Sequence, residues 1–177
     1  MQGMVKTALT VGALLMGGVL NGQVQPIPEQ QLANGFLGDR NDKLTSQGAP
    51  SNETYVAQAT AAINQGQYRR ALGILRPYRR SNELAYHYLA GRAYVGIGDY
   101  AAARAELTAA TRKDRSFIGA PLALGLMEAE HGEEADALKI LDDLKARQAR
   151  CAGRCREASD LDIAVSAIEA AIHVRKH

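Results

Sequence analysis

The string Gly66-Gln67-Tyr68-Arg69-Arg70-Ala71 returns 32 residues later as Gly98-Asp99-Tyr100-Ala101-Ala102-Ala103, and 34 residues after that as Gly132-Glu133-Glu134-Ala135-Asp136-Ala137. Four residues after its last alanine each copy carries a leucine: Leu75, Leu107 and Leu141. Upstream, the second copy has Leu89-Ala90-Gly91 with Tyr94 three residues on, and the third has Leu124-Gly125. A period of this length marks a stack of supersecondary units, each too small to bury its own apolar face. In each unit the glycine is expected to permit a sharp reversal, with a second helix starting two residues later. Gly91, Gly125, Ala71, Ala103 and Ala137 then fall where paired helices approach closely, and the three leucines fill the space beyond.

Composition agrees with a helical stack. The chain has 31 alanines, 27 of them in the 125 residues from Glu53 to His177, no tryptophan and two phenylalanines. Alanine is the best helix former, so the folded part reads as all-α. A span of that size buries one core and leaves no need for a second domain. After the repeats, Leu161, Ala164, Val165, Ile168, Ala171 and Ile172 make one apolar stripe at helical spacing, so a closing helix is expected over Asp160–Arg175 with Ser159 as its N-cap.

At this register the sequence resembles the tetratricopeptide repeat family, whose pattern is W-x2-L-G-x2-Y, then A-x3-F, then P. The unit at about Leu84–Arg115 carries it best, with Gly91, Tyr94, Ala103, Leu107 and Ala110 at matching places and His87 where tryptophan is usual. The first unit has Tyr55 in the tryptophan place and Pro77 in its second helix, which should end early there. The third has Pro121 in the tryptophan place and Glu128 in the tyrosine place, so its first helix should start close to Pro121. The resemblance implies a right-handed solenoid of three helical hairpins over 53–148, followed by a joint and capping helix over 149–177. An unrelated antiparallel helical bundle is the alternative fold. The resemblance also implies that the first helices line a concave groove for peptide ligands, which directs Glu53, Thr60, Asn64, Tyr88, Arg92, Leu126 and Glu130 toward it. Tyrosine and arginine are side chains that tend to carry interface energy. The Lys/Asn/Arg set with which some family members clamp a terminal carboxylate is missing.

The two cysteines, Cys151 and Cys155, lie in the joint before the closing helix. A disulfide is the default in an oxidising compartment, where so short a ring adds at most about 2 kcal/mol. Free or exchanging thiols and a metal or haem site are the alternatives. The spacing is one residue too long for a haem or thioredoxin-type pair, and His87, His131, His173 and His177 are scattered without ligand spacing, so no metal and no cofactor are expected. No nucleophile elbow, phosphate loop or paired carboxylates point to an enzyme. Glu128, Glu130, Glu133, Glu134 and Asp136 form an acidic cluster, and Arg69, Arg70, Arg76, Arg79 and Arg80 a basic one. Both read as solvated faces, and the polarity also allows self-association.

Lys6 followed by the apolar run Thr7–Leu20 and by Leu20-Asn21-Gly22 reads as an export signal over residues 1–22. Its run of 14 residues is shorter than the roughly 20 of a spanning helix. Residues 23–52 hold three of the five prolines and read as a flexible linker. Without Lys6 the charges stand at 20 basic against 19 acidic, which gives no reason to expect nucleic acid. With no cysteine after the signal until Cys151, a lipid anchor is not expected. The chain thus reads as a non-enzymatic protein–protein interaction scaffold of the bacterial periplasm. The alternative is a redox or maturation accessory protein acting through Cys151 and Cys155.

Overall fold

The computed structural model describes residues 50–175, with side chains from Tyr55 onward. The export segment 1–22, nearly all of the linker 23–52 and the side chain of Glu53 lie outside the described residues. Among the described residues there are seven α-helices, one 3₁₀ turn and no strand. They are α1 (Pro50–Asn64), α2 (Tyr68–Leu75), the 3₁₀ turn Arg76–Tyr78, α3 (Leu84–Ile97), α4 (Tyr100–Lys113), α5 (Gly119–His131), α6 (Glu134–Cys151) and α7 (Ala158–Arg175). Consecutive helices pair as hairpins α1/α2, α3/α4 and α5/α6, and each second helix packs on the first helix of the next unit. The first helices also touch in a row, α1 on α3, α3 on α5 and α5 on α7. This is the all-α, tetratricopeptide-like solenoid with a closing helix.

The repeated small residues serve the close approach expected of them. Ala71, Ala103 and Ala137 are fully buried. A Cβ on Gly91 would lie 2.6 Å from Leu107 Cγ, and one on Gly125 would lie 2.4 Å from Ile168 Cδ1. The hairpin glycines divide in role. Gly66 and Gly98 adopt left-handed φ of 70° and 80°, and the N–H groups of Gly98 and Asp99 bond back to Val95 and Tyr94 carbonyls at 3.0 Å. Asp99 then caps α4 by accepting from the Ala102 N–H at 3.1 Å. Gly132 has φ −105°, so it needs no glycine for its conformation. It needs one for space, because a Cβ there would lie 1.9 Å from Glu128 Oε2.

Pro77 ends α2 at Leu75 and turns the chain into the 3₁₀ segment, as its missing N–H requires. The shortened hairpin is held by Tyr78, which stacks on Tyr55 with ring centroids 3.8 Å apart. Tyr55 donates its hydroxyl to Glu83 Oε2 at 2.8 Å. Burial, reinforced by that carboxylate, pushes the Tyr55 phenol well above its ordinary pKa.

The closing helix starts at Ala158, ahead of the expected Asp160, and Ser159 is not its N-cap. The Leu161 N–H already bonds to the Glu157 carbonyl at 2.9 Å, which places Ser159 inside the first turn. Its apolar stripe is buried except for the half-buried Ala171. At its far end Arg175 donates to the carbonyls of Gly132 at 2.7 Å and Ala129 at 3.2 Å, so a cation of α7 covers the exposed carbonyl end of α5. Instead of one continuous core there are two adjoining apolar clusters. One is built from α1 to α4 with Phe117 and Ala120, and the other from Ile118 through α7.

Glu128 departs from the solvated-face expectation. It is 1% exposed, and Arg104 on α4 grips it with two bonds of 2.5 and 2.6 Å. These hydrogen bonds hold the Arg104 guanidinium above its ordinary pKa. Removing one partner of a buried pair strands the other charge. Arg104→Met is therefore expected to cost about 2–3 kcal/mol in urea unfolding, less than a wholly buried pair because Arg104 is half open to water. Arg104→Met/Glu128→Leu should recover most of that loss.

Candidate partner-binding groove

The row of first helices is not evenly packed. α3 and α5 touch sparingly, and between them opens a cavity of about 660 Å³ that extends to the end of α1. Two rings prop it open. Phe117, buried in the α4–α5 connection, meets Tyr88 of α3 edge to face at 4.8 Å. The connection holds its shape because Asp114 Oδ1 accepts from the Ser116 N–H at 2.8 Å and from its hydroxyl at 2.7 Å.

The cavity floor and walls are apolar, from Ile63, Tyr88, Val95, Leu122 and Leu126, and its rim carries Asn64, Arg92, Glu130 and His131. One end is closed by Tyr68 of α2, whose ring lies over Gly96 so closely that a Cβ there would come within 2.4 Å of it. At the other end His131 stacks on Tyr100 with centroids 4.4 Å apart. A shallow depression beside the Tyr68 end carries the exposed Arg69 and Arg70. The mixture of an apolar floor and a polar rim suits a peptide side chain better than a small charged metabolite.

Of the seven residues directed toward the groove by resemblance, Asn64, Tyr88, Arg92, Leu126 and Glu130 line this one cavity. Thr60 is half-buried on α1 and does not line it, and the Glu53 side chain lies outside the described residues. Tyr88 is a floor residue rather than a reaching contact, since only 4% of it is exposed and it belongs to the first apolar cluster. Val95 had been placed beside Tyr88 and Arg92 by helical spacing. Tyr68 and His131 had no such signal, because each reaches the cavity from a helix end set by the hairpin turns.

The structure joins Cys151 and Cys155 as a disulfide, with Cα atoms 5.2 Å apart, far from the cavity in sequence and packed against the second apolar cluster. Two successive left-handed residues, Ala152 at φ 48° and Gly153 at φ 72°, end α6 and make the turn. Only Gly153 was suggested by residue type. Among the described residues no group of three or more His, Cys, Asp or Glu could hold a metal ion, and no helix is long and apolar enough to cross a membrane.

Residues 36–110 match the family described as anaphase-promoting complex, cyclosome, subunit 3, a tetratricopeptide-type repeat family. No curated protein and no solved structure gives a match. The chain is a tetratricopeptide-type repeat protein, and such repeats are protein-interaction modules.

Tyr88 and Leu126 line the same cavity but differ in what they support. Tyr88→Ala is expected to destabilise by about 3–4 kcal/mol, and Leu126→Ala, half exposed on the groove wall, by about 1 kcal/mol. Reducing the disulfide should cost at most about 2 kcal/mol, given its short loop. Chemical denaturation with and without reductant checks all three values.

Proposed function

We propose that this chain is a non-enzymatic, exported interaction scaffold of the bacterial cell envelope, working in the periplasm. It holds an extended or helical segment of a protein partner in the groove between α3 and α5. The observation that carries this reading is the cavity itself, a large opening on the row of first helices where an apolar floor meets a rim of Asn64, Arg92, Glu130 and His131. A packed solenoid gains from closing such a gap, since lining atoms without neighbours lose their dispersion contacts. Its persistence is supported here by two rings that occupy the only route by which α3 and α5 could approach. Export is supported by the basic start, the short apolar run and the small residues before Gln23.

Site-specific photo-crosslinking in the native envelope tests the reading. A crosslinker at Leu126, inside the groove, should trap a discrete partner that a crosslinker at the exposed Leu138 on the outer helix α6 does not. Trapping should be lost with Asn64→Arg. Identical products from both positions, or none from Leu126, would remove the groove reading.

A further inference from the structure

The fold satisfies most of its cationic groups and leaves one arginine in the cavity short of a partner. Arg104 spends its guanidinium on Glu128, and Arg175 spends Nη1 on the carbonyl end of α5. Arg92 differs. Its guanidinium carbon lies 5.7 Å from the centroid of the Tyr88 ring, and its Nη1 is shut off from solvent with no hydrogen-bond acceptor among the described residues. The guanidinium is charged at any accessible pH and has donors only. A buried, unbonded N–H on a charged group costs more than one on a neutral group, and stacking over a tyrosine offsets only part of that. The arrangement is therefore one that an incoming acceptor would relieve.

The surroundings favour an anion. The stretch from Asn64 to Asn82 has no acidic residue, and its five arginines, Arg69, Arg70, Arg76, Arg79 and Arg80, are all exposed. Arg69 and Arg70 stand beside the Tyr68 end of the cavity. Along α3, Val95 lies one turn from Arg92 and faces the same cavity, with Ala123 and Leu126 across it on α5, all three half exposed. A ligand therefore meets a cation and an apolar patch about one helical turn apart.

Resting on the groove reading above, we propose that the partner segment carries an internal carboxylate, an Asp or Glu side chain that pairs with Arg92, next to an apolar side chain seated on Val95, Ala123 and Leu126. Rotation about the terminal torsions of Arg92 lifts the guanidinium off Tyr88 and presents two N–H groups to the carboxylate, the fork geometry that arginine forms with carboxylates. Capture of a free chain terminus would instead call on backbone donors and several side chains around one point. The single cation beside an apolar strip suits a side chain presented along a continuous segment.

The test uses the full chain and fluorescence anisotropy with short labelled peptides, acetylated and amidated so that no terminus is charged. One set places Leu and Glu at varied spacing, a second replaces each Glu by Gln, and a third keeps the Gln but ends in a free carboxylate. A Glu peptide is expected to bind about ten- to a hundredfold tighter than its Gln twin. That preference should vanish in Arg92→Met and survive in part in Arg92→Lys. Thermal unfolding of Arg92→Met reports independently of any ligand, and the midpoint should hold or rise, because the substitution removes an unsatisfied donor. Twins that bind alike in wild type would overturn the carboxylate and leave the groove standing. Binding only by the free-terminus set would overturn it in favour of terminal capture, a marked fall in the Arg92→Met midpoint would show that the fold already satisfies the guanidinium, and no binding by any set would take the groove reading down as well.

Discussion

Close approach of helix backbones at a few small residues is the constraint on which the rest of this structure depends. Gly91 has no room for a single added carbon beside Leu107, and Ala71, Ala103 and Ala137 are fully buried at equivalent places in their hairpins. A stack of hairpins is nearly one-dimensional, because each unit is positioned only by its neighbours. Widening one hairpin would shift every unit beyond it, and the spacing of α1, α3 and α5 would change with it. Gly125 extends the same logic to the end of the stack, where its neighbour is Ile168 of the closing helix. α7 thus occupies the place of a fourth first helix, and Arg175 finishes it by covering carbonyls that a further repeat would have covered.

The groove exists because that regular stacking is interrupted once. Phe117 and Ile118 are adjacent in sequence but belong to different apolar clusters, so the chain divides its core between them. Phe117 points back to Tyr88 and holds α5 off α3, while Ile118 points forward and anchors α5 to the third hairpin and α7. The separation that weakens one interface creates the cavity. Stability lost there is regained across the α5, α6 and α7 contacts, where Lys145 and Glu169 also pair at 2.6 Å. Exposed pairs of that kind add little, so most of the compensation is apolar burial.

Much of the fold was legible because its signals are local. The hairpin register, the early end of α2 at Pro77 and the apolar stripe of α7 each follow from residues within a turn or two of one another. Part of the groove was legible for the same reason, since Asn64, Tyr88, Arg92, Leu126 and Glu130 follow from helical phase once the first helices are known to face inward. Thr60 misleads because the cavity reaches only the last turn of α1, a limit set by the tilt of neighbouring helices. The burial of Glu128 was illegible because its partner, Arg104, lies 24 residues away on another helix. The same holds for Gly132, which has the place of the turn glycines but keeps it to leave room for a carboxylate.

By itself the amino-acid sequence determined the class of protein, the number of hairpins and the face on which a groove would lie, because periodicity is a relation among near neighbours and survives without coordinates. Only the tertiary structure decided which polar groups are satisfied. Hydrogen bonding depends on atoms carried in from distant helices to within about 3 Å, and no periodicity encodes that. For that reason Glu128 and Arg92, two charged residues of similar appearance in the sequence, end in opposite conditions: one is gripped by a guanidinium in the core, and the other is held over a tyrosine with a donor unspent.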